Sequence, residues 1–190
     1  MTRLIGSVVL LGGLIAGCAG SARIGVVPLD LKKLRDSDPL IRNLDAPRCY
    51  HWQDERGRLC IATQDDKPSL FGDYGRHTIV MSLVLDEPPA GQARDYHADQ
   101  DTLRMIARAG AEHVRWASLA GIVAVQCTPD GQVRARFRLA AKQQKFHIAL
   151  GWSSNSRVLL FGELDAVPNP ERGRKILTRT EANGMDRTDR

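Results

Sequence analysis

The chain reads as an all-β protein: an antiparallel β-sandwich or barrel-like domain with a short N-terminal tether or helix and a C-terminal helix or tail. Three observations carry that reading. First, Val133–Leu139 (VRARFRL) alternates without a break. Val133, Ala135, Phe137 and Leu139 point one way, while Arg134, Arg136 and Arg138 point the other, and only a half-buried strand has that period of two. Second, His77–Leu85 (HTIVMSLVL) is a nearly continuous apolar run bounded by turn residues, with the length and the Ile and Val content of a buried strand. Third, strand-like runs recur every ~8–15 residues with turn signals between them, the pattern of a sandwich or barrel. No repeat of solenoid or propeller length is visible.

The first element is a leader. A short positive start carries Arg3, an apolar segment runs from Leu4 to about Ile15, and Ala16 and Gly17 are small enough for a peptidase cleft. The apolar segment is shorter than the roughly 20 residues a spanning helix needs. Leu14-Ile15-Ala16-Gly17-Cys18 resembles the lipobox of bacterial lipoproteins, and the resemblance covers residues 1–18 only. It implies that residues 1–17 are a signal peptide cleaved before Cys18. Cys18 Sγ then carries a diacylglyceryl group, and the new amine is often acylated. Each buried methylene adds roughly 0.8 kcal/mol, so two or three chains hold a protein on a membrane. Ala19, where an Asp would favour the inner membrane by the sorting rule of some Gram-negative lipoproteins, leans toward the outer membrane. An ordinary cleaved signal with a cysteine nearby is the alternative.

Residues 18–45 form the expected lipidated tether. Residues 19–27 are small and lack a strong period, and Pro28–Asp36 (PLDLKKLRD) suggests a short helix with Leu31 and Leu34 on one side. Pro39 and Pro47 interrupt the chain, so the β domain is placed at 46–168. Residues 48–53 and 58–63 flank a turn at Asp54–Gly57. Residues 65–75 read as loop, and Glu87–Gly91 stops the apolar strand. Residues 93–98 and 102–108 follow as strands, then His113–Trp116 and Gly121–Cys127 around a kink at Ser118–Gly121. Thr128-Pro129-Asp130-Gly131 is a strong turn, with Pro at the first corner and Gly for positive φ. After Val133–Leu139, Lys145–Trp152 alternates again, Ser153–Ser156 turns the chain, and 157–164 is the last strand. Asn169-Pro170-Glu171 starts a C-terminal helix, as cap, first-turn proline and first-turn acid, ending near Asn183-Gly184. The domain layout closes with this helix and a disordered tail at 169–190.

The whole sequence carries +5 formal charge and a pI near 9.3, favouring acidic partners. Losing Arg3 with the leader lowers the charge by one. Cys49, Cys60 and Cys127 follow Cys18; an exported chain can keep disulfides, and Cys49–Cys60 is the favoured bridge because the segment between them reads as a hairpin. A bulge would be needed to face the two.

Candidate chemistry is sparse. Between Thr102 and His147, basic residues (Arg104, Arg108, Arg115, Arg134, Arg136, Arg138, Lys142, Lys145) far outnumber the acids Glu112 and Asp130. Guanidinium forks suit phosphate or carboxylate, so Arg134, Arg136, Arg138 and Lys145 are the candidate anion-binding set. The plainer reading is a solvated face whose charges discourage edge pairing. Asp95, His97, Asp99 and Asp101 share a face if extended, but same-face residues lie nearly 7 Å apart and one ion cannot reach all four. Tyr50, Trp52, Trp116 and Trp152 suit sugar stacking, though such rings more often fill a small β core. No HExxH or CxxC spacing appears, and Gly151-Trp152-Ser153-Ser154-Asn155 is not GxSxG. No catalytic, metal or cofactor motif is seen. The reading is a non-enzymatic binding or structural module anchored through Cys18, facing anionic lipid, lipopolysaccharide or an acidic envelope protein rather than nucleic acid. The alternatives are an accessory subunit of an envelope assembly, or a small hydrolase with a non-standard site.

Overall fold

The computed structural model describes residues 20–29, 44–46, 48–67, 77–87, 89, 93–100, 102–109, 112–147 and 151–184. The leader with Cys18, the short helix expected within 28–36 and the tail beyond 184 lie outside the described residues, apart from Pro28 and Leu29. The described residues contain ten strands and one helix: β1 Ser21–Pro28, β2 Leu44–Ala46, β3 Cys49–Gln53, β4 Leu59–Lys67, β5 His77–Leu85, β6 Arg94–Ala98, β7 Leu103–Ala109, β8 Glu112–Cys127, β9 Val133–His147, β10 Gly151–Pro168 and α1 Pro170–Gly184.

Seven strands close into a barrel in the order β10-β3-β4-β5-β7-β8-β9 and back to β10. All the pairings are antiparallel except a short parallel junction, Val167↔Tyr50 and Pro168↔His51, where β10 meets β3. Of the two architectures the pattern allowed, the barrel is the one built. The long strands β8, β9 and β10 pair along most of their length, and the remaining edges of β8 and β10 take extra partners. β1 pairs β10 from Ser21↔Asp165 to Pro28↔Val158, β2 pairs β1, and β6 pairs β8.

Alternation decides which side is filled. The odd residues of β9 from Val133 to Ala141 are buried, with Val123, Val125, Leu160 and Leu164, in the barrel interior. A second apolar cluster lies outside the wall, where Tyr50, Trp52, Cys60, Ala62 and Val80 are covered by Ile176 of α1. Asn169 caps that helix, its Oδ1 accepting from Arg172 N at 3.0 Å, as the cap–proline–acid signature predicts.

Four expectations need correction. The residues assigned to a tether enter the sheet: Ala22, Ile24 and Val26 of β1 are buried in the interior, so the β structure begins 25 residues before Ala46. Its period is hidden because inward Ala22 and outward Gly25 are both small. Second, the predicted strand over Lys145–Trp152 belongs to two strands, since β9 runs to His147 and β10 starts at Gly151. Ser153–Ser156 is then a register irregularity within β10, not a hairpin turn. Likewise the kink near Ser118 is a bulge within one continuous strand, at Ser118/Ala120.

The fourth correction concerns the disulfide. Strand β3 faces β4 with Cys49 opposite Thr63 and Trp52 opposite Cys60. Cys49 lies in the interior cluster and Cys60 in the outer one. Opposite faces of a sheet cannot be joined by two short side chains, and no Cys49–Cys60 bridge forms.

Candidate functional site

The side chains that could meet a ligand sit on the outer face of β1, β10, β9 and β8. Because Phe137 and Leu139 point inward, Arg134, Arg136 and Arg138 point out and are exposed, as the alternation predicts. Their neighbours across the sheet were not legible from β9 alone. Arg134 Nε donates to Asp165 Oδ1 at 3.1 Å, and Arg136 Nε lies 3.0 Å from Glu163 Oε1, both acids on β10. Such exposed pairs add about 0–1 kcal/mol each, but they cancel the charge locally. Arg138 is different: its cross-strand neighbours are Phe161 on β10 and Ile122 on β8. Lys145 makes interactions of its own further along β9. The predicted anion set is therefore on one strand but not one site.

Further along the same face, Arg157 pairs in register with Lys142. Arg138, Lys142 and Arg157 have no acidic partner in an ion pair among the described residues. Between Arg138 and Lys142 runs an apolar row, Val27↔Leu159↔Ala140↔Ala120. Phe161 and Ile122 are 41% and 50% exposed, high for large apolar side chains in a β wall. Phe161 lies over Gly25, where a Cβ would collide with its ring. A cationic and apolar field thus spans four strands. Sequence reasoning missed Phe161, Ile122 and Arg157. The available signal was Val158-Leu159-Leu160-Phe161, apolar on both faces where a solvated strand alternates.

The other candidates resolve into packing. Tyr50, Trp52 and Trp116 are buried, and Trp116 Nε1 donates to Gln143 Oε1 at 3.2 Å; the side chain of Trp152 lies outside the described residues. Asp99 receives Thr102 N and Oγ1 at 3.1 and 2.8 Å, while Asp95 and His97 are exposed on β6. Among the described residues no group of His, Cys, Asp and Glu side chains is gathered to hold a metal; Asp101 lies outside them. A cleft of about 530 Å³ opens beside β6, lined by Arg58, Glu87, Arg94 and Tyr96 among others. Both of its arginines are in ion pairs: Arg94 Nη1 reaches Glu87 Oε2 at 2.7 Å and Arg58 Nε reaches Asp54 Oδ2 at 2.7 Å. Burial raises the Cys127 thiol above its ordinary range, so it is not poised as a nucleophile.

Comparison with protein-family models, with curated proteins and with solved structures returns no match. The class the fold defines is an all-β closed barrel carrying one C-terminal helix.

Proposed function

We propose that this chain is a lipid-anchored bacterial envelope protein whose barrel is a non-enzymatic binding module for an anionic partner. The leader supports the anchor: Leu14–Cys18 has the small residues and the cysteine that lipidation requires. The observation that carries the binding role is the set Arg138, Lys142 and Arg157 on one exposed sheet face, with no acid paired to them among the described residues. Charges so placed attract phosphate and carboxylate at little desolvation cost. The apolar side chains among them favour a second reading, an accessory subunit whose face docks an acidic protein.

Two measurements test the proposal. Intact-mass spectrometry of the purified protein should show the chain starting at Cys18 with acyl mass added. An unmodified thiol there rules out the anchor. Arg138→Glu with Lys142→Glu should weaken binding to lipopolysaccharide at least tenfold, since close basic groups each add about 1 kcal/mol near an anionic surface. Unchanged binding by a folded variant rules out this face.

A further inference from the structure

We infer that the outer face around Phe161 is a bilayer-docking surface, with Phe161 and Ile122 settling at headgroup depth while Arg138, Lys142 and Arg157 take lipid phosphates. This rests on the anchored reading above and names the partner of the same face. The geometry comes from strand register. Gly25, Phe161, Arg138 and Ile122 form one row across β1, β10, β9 and β8. Strands lie about 4.8 Å apart, so the backbones of the two large apolar residues flank that of Arg138 at roughly 10 Å from each other. With no side chain at Gly25, the Phe161 ring lies down on the wall instead of standing off it. A ring laid flat over β1, with a guanidinium one strand away on β9, suits the boundary between acyl chains and headgroups, where aromatic and basic side chains are stabilised together.

The start of the sheet adds the second argument. Gly20 is buried, and a Cβ there would collide with the carbonyl oxygens of Asp165 and Cys49. Its backbone is therefore seated in the barrel. Cys18 stands two residues before it, a reach of at most ~7 Å. A lipidated Cys18 therefore has no long tether and holds the start of β1 close to the headgroups. Strand β1, which leaves that point, borders the field: Gly25 lies four residues beyond Ser21, about 13 Å along the strand. A patch beside that strand, carrying three cations on β9 and β10 and two exposed apolar side chains on β10 and β8, complements an anionic leaflet in charge and depth. An acidic protein would meet the cations but would have to reach a face held this close to lipid.

The test removes the acyl chains so that the sheet face alone must bind. The full chain with Cys18→Ser is cosedimented with phosphatidylcholine vesicles, with and without phosphatidylglycerol, and titrated with soluble poly-glutamate. The expected result is binding to the phosphatidylglycerol vesicles only. Adding Phe161→Ser and Ile122→Ser should lower the partition on the order of tenfold. Adding Arg138→Glu and Lys142→Glu instead should lower it on the order of a hundredfold. All four positions are on the surface, and unchanged near-ultraviolet dichroism establishes the fold of each variant. Vesicle binding indifferent to these changes overturns the inference. Poly-glutamate binding without vesicle binding overturns the bilayer and leaves an acidic protein partner. Binding to neither overturns the proposed binding role as well. A dimer in sedimentation that Phe161→Ser dissociates assigns the patch to a second copy and overturns the bilayer.

Discussion

Cys49 shows how much a single residue's environment decides. Burial pushes its thiol up to about 12, the nearby Asp165 carboxylate pushes in the same direction, and a hydrogen bond with Thr63 works against them. The folded chain therefore holds this proton well above the ordinary value of 9.0, whereas the unfolded chain releases it. The corresponding stability is complete below about pH 9 and is lost as pH rises toward 12, at about 1.4 kcal/mol per pH unit for one proton. Urea titrations of the wild type and Cys49→Ala should diverge in slope above pH 9, the wild type falling faster; parallel curves would show that Cys49 is not the source. Asp54 has the opposite sign. Although partial burial raises its carboxyl, hydrogen bonds from the backbone and side chain of Arg58 and the backbone of Arg56 outweigh it and hold the group below the ordinary range. Its contribution is present at neutral pH and lost as pH falls below about 4. Asp54→Ala should cost about 1–2 kcal/mol at pH 7 and less in acid, read from the same titrations. The turn itself was legible, because Asp54 and Gly57, the latter at φ 78°, are residues a tight turn demands. The faces of Cys49 and Cys60 were not: an eleven-residue offset becomes a register only once the turn length is known.

Among the elements, β9 and α1 were readable for different reasons. The strand carries a strict period of two because one side meets the interior and the other meets water. The helix announces its start by three local signals that need no tertiary context. By contrast, β1 was hidden because part of its pattern answers to neighbours distant in sequence: Gly25 is there for the ring of Phe161, 136 positions away. In β10, Ser153–Ser156 looks like a turn, yet β9 supplies enough pairing on either side to carry the irregularity. Gly173 of α1 is a comparable contextual residue, since a Cβ there would strike the indole of Trp52. Gly173→Val should lift the helix from the outer cluster and cost about 1–3 kcal/mol, despite the better helix propensity of valine. A rise in thermal midpoint would refute this packing. The anion set was legible as a strand face and illegible as a site, because Asp165, Glu163 and Phe161 sit on the next strand and sort its arginines into paired and unpaired.

At the scale of the whole molecule, closure depends on one short seam. β10 meets β3 through two residue pairs, whereas β8, β9 and β10 pair along most of their length. His51 reinforces the seam: its Nε2 donates to Gly131 O at 3.0 Å, tying β3 to the β8–β9 turn, and its backbone carbonyl accepts from Asn169 N at 3.2 Å. Burial holds the imidazole below its ordinary 6.5, although the bond to Gly131 opposes the shift. The unfolded seam thus takes up a proton more readily than the closed one, so closure is complete above about pH 6.5 and weakens as pH falls. Hydrogen exchange at pH 7.5 and pH 5, corrected for intrinsic rates, should show the amide of Asn169 losing protection on acidification while the amides of Leu139 and Leu160 keep theirs. His51→Gln retains a donor without titrating, and should remove this pH dependence while leaving the seam closed at neutral pH. If the variant kept the acid response, another group would govern the opening; if Leu139 and Leu160 lost protection in step with Asn169, the barrel would open as one cooperative unit rather than at its seam.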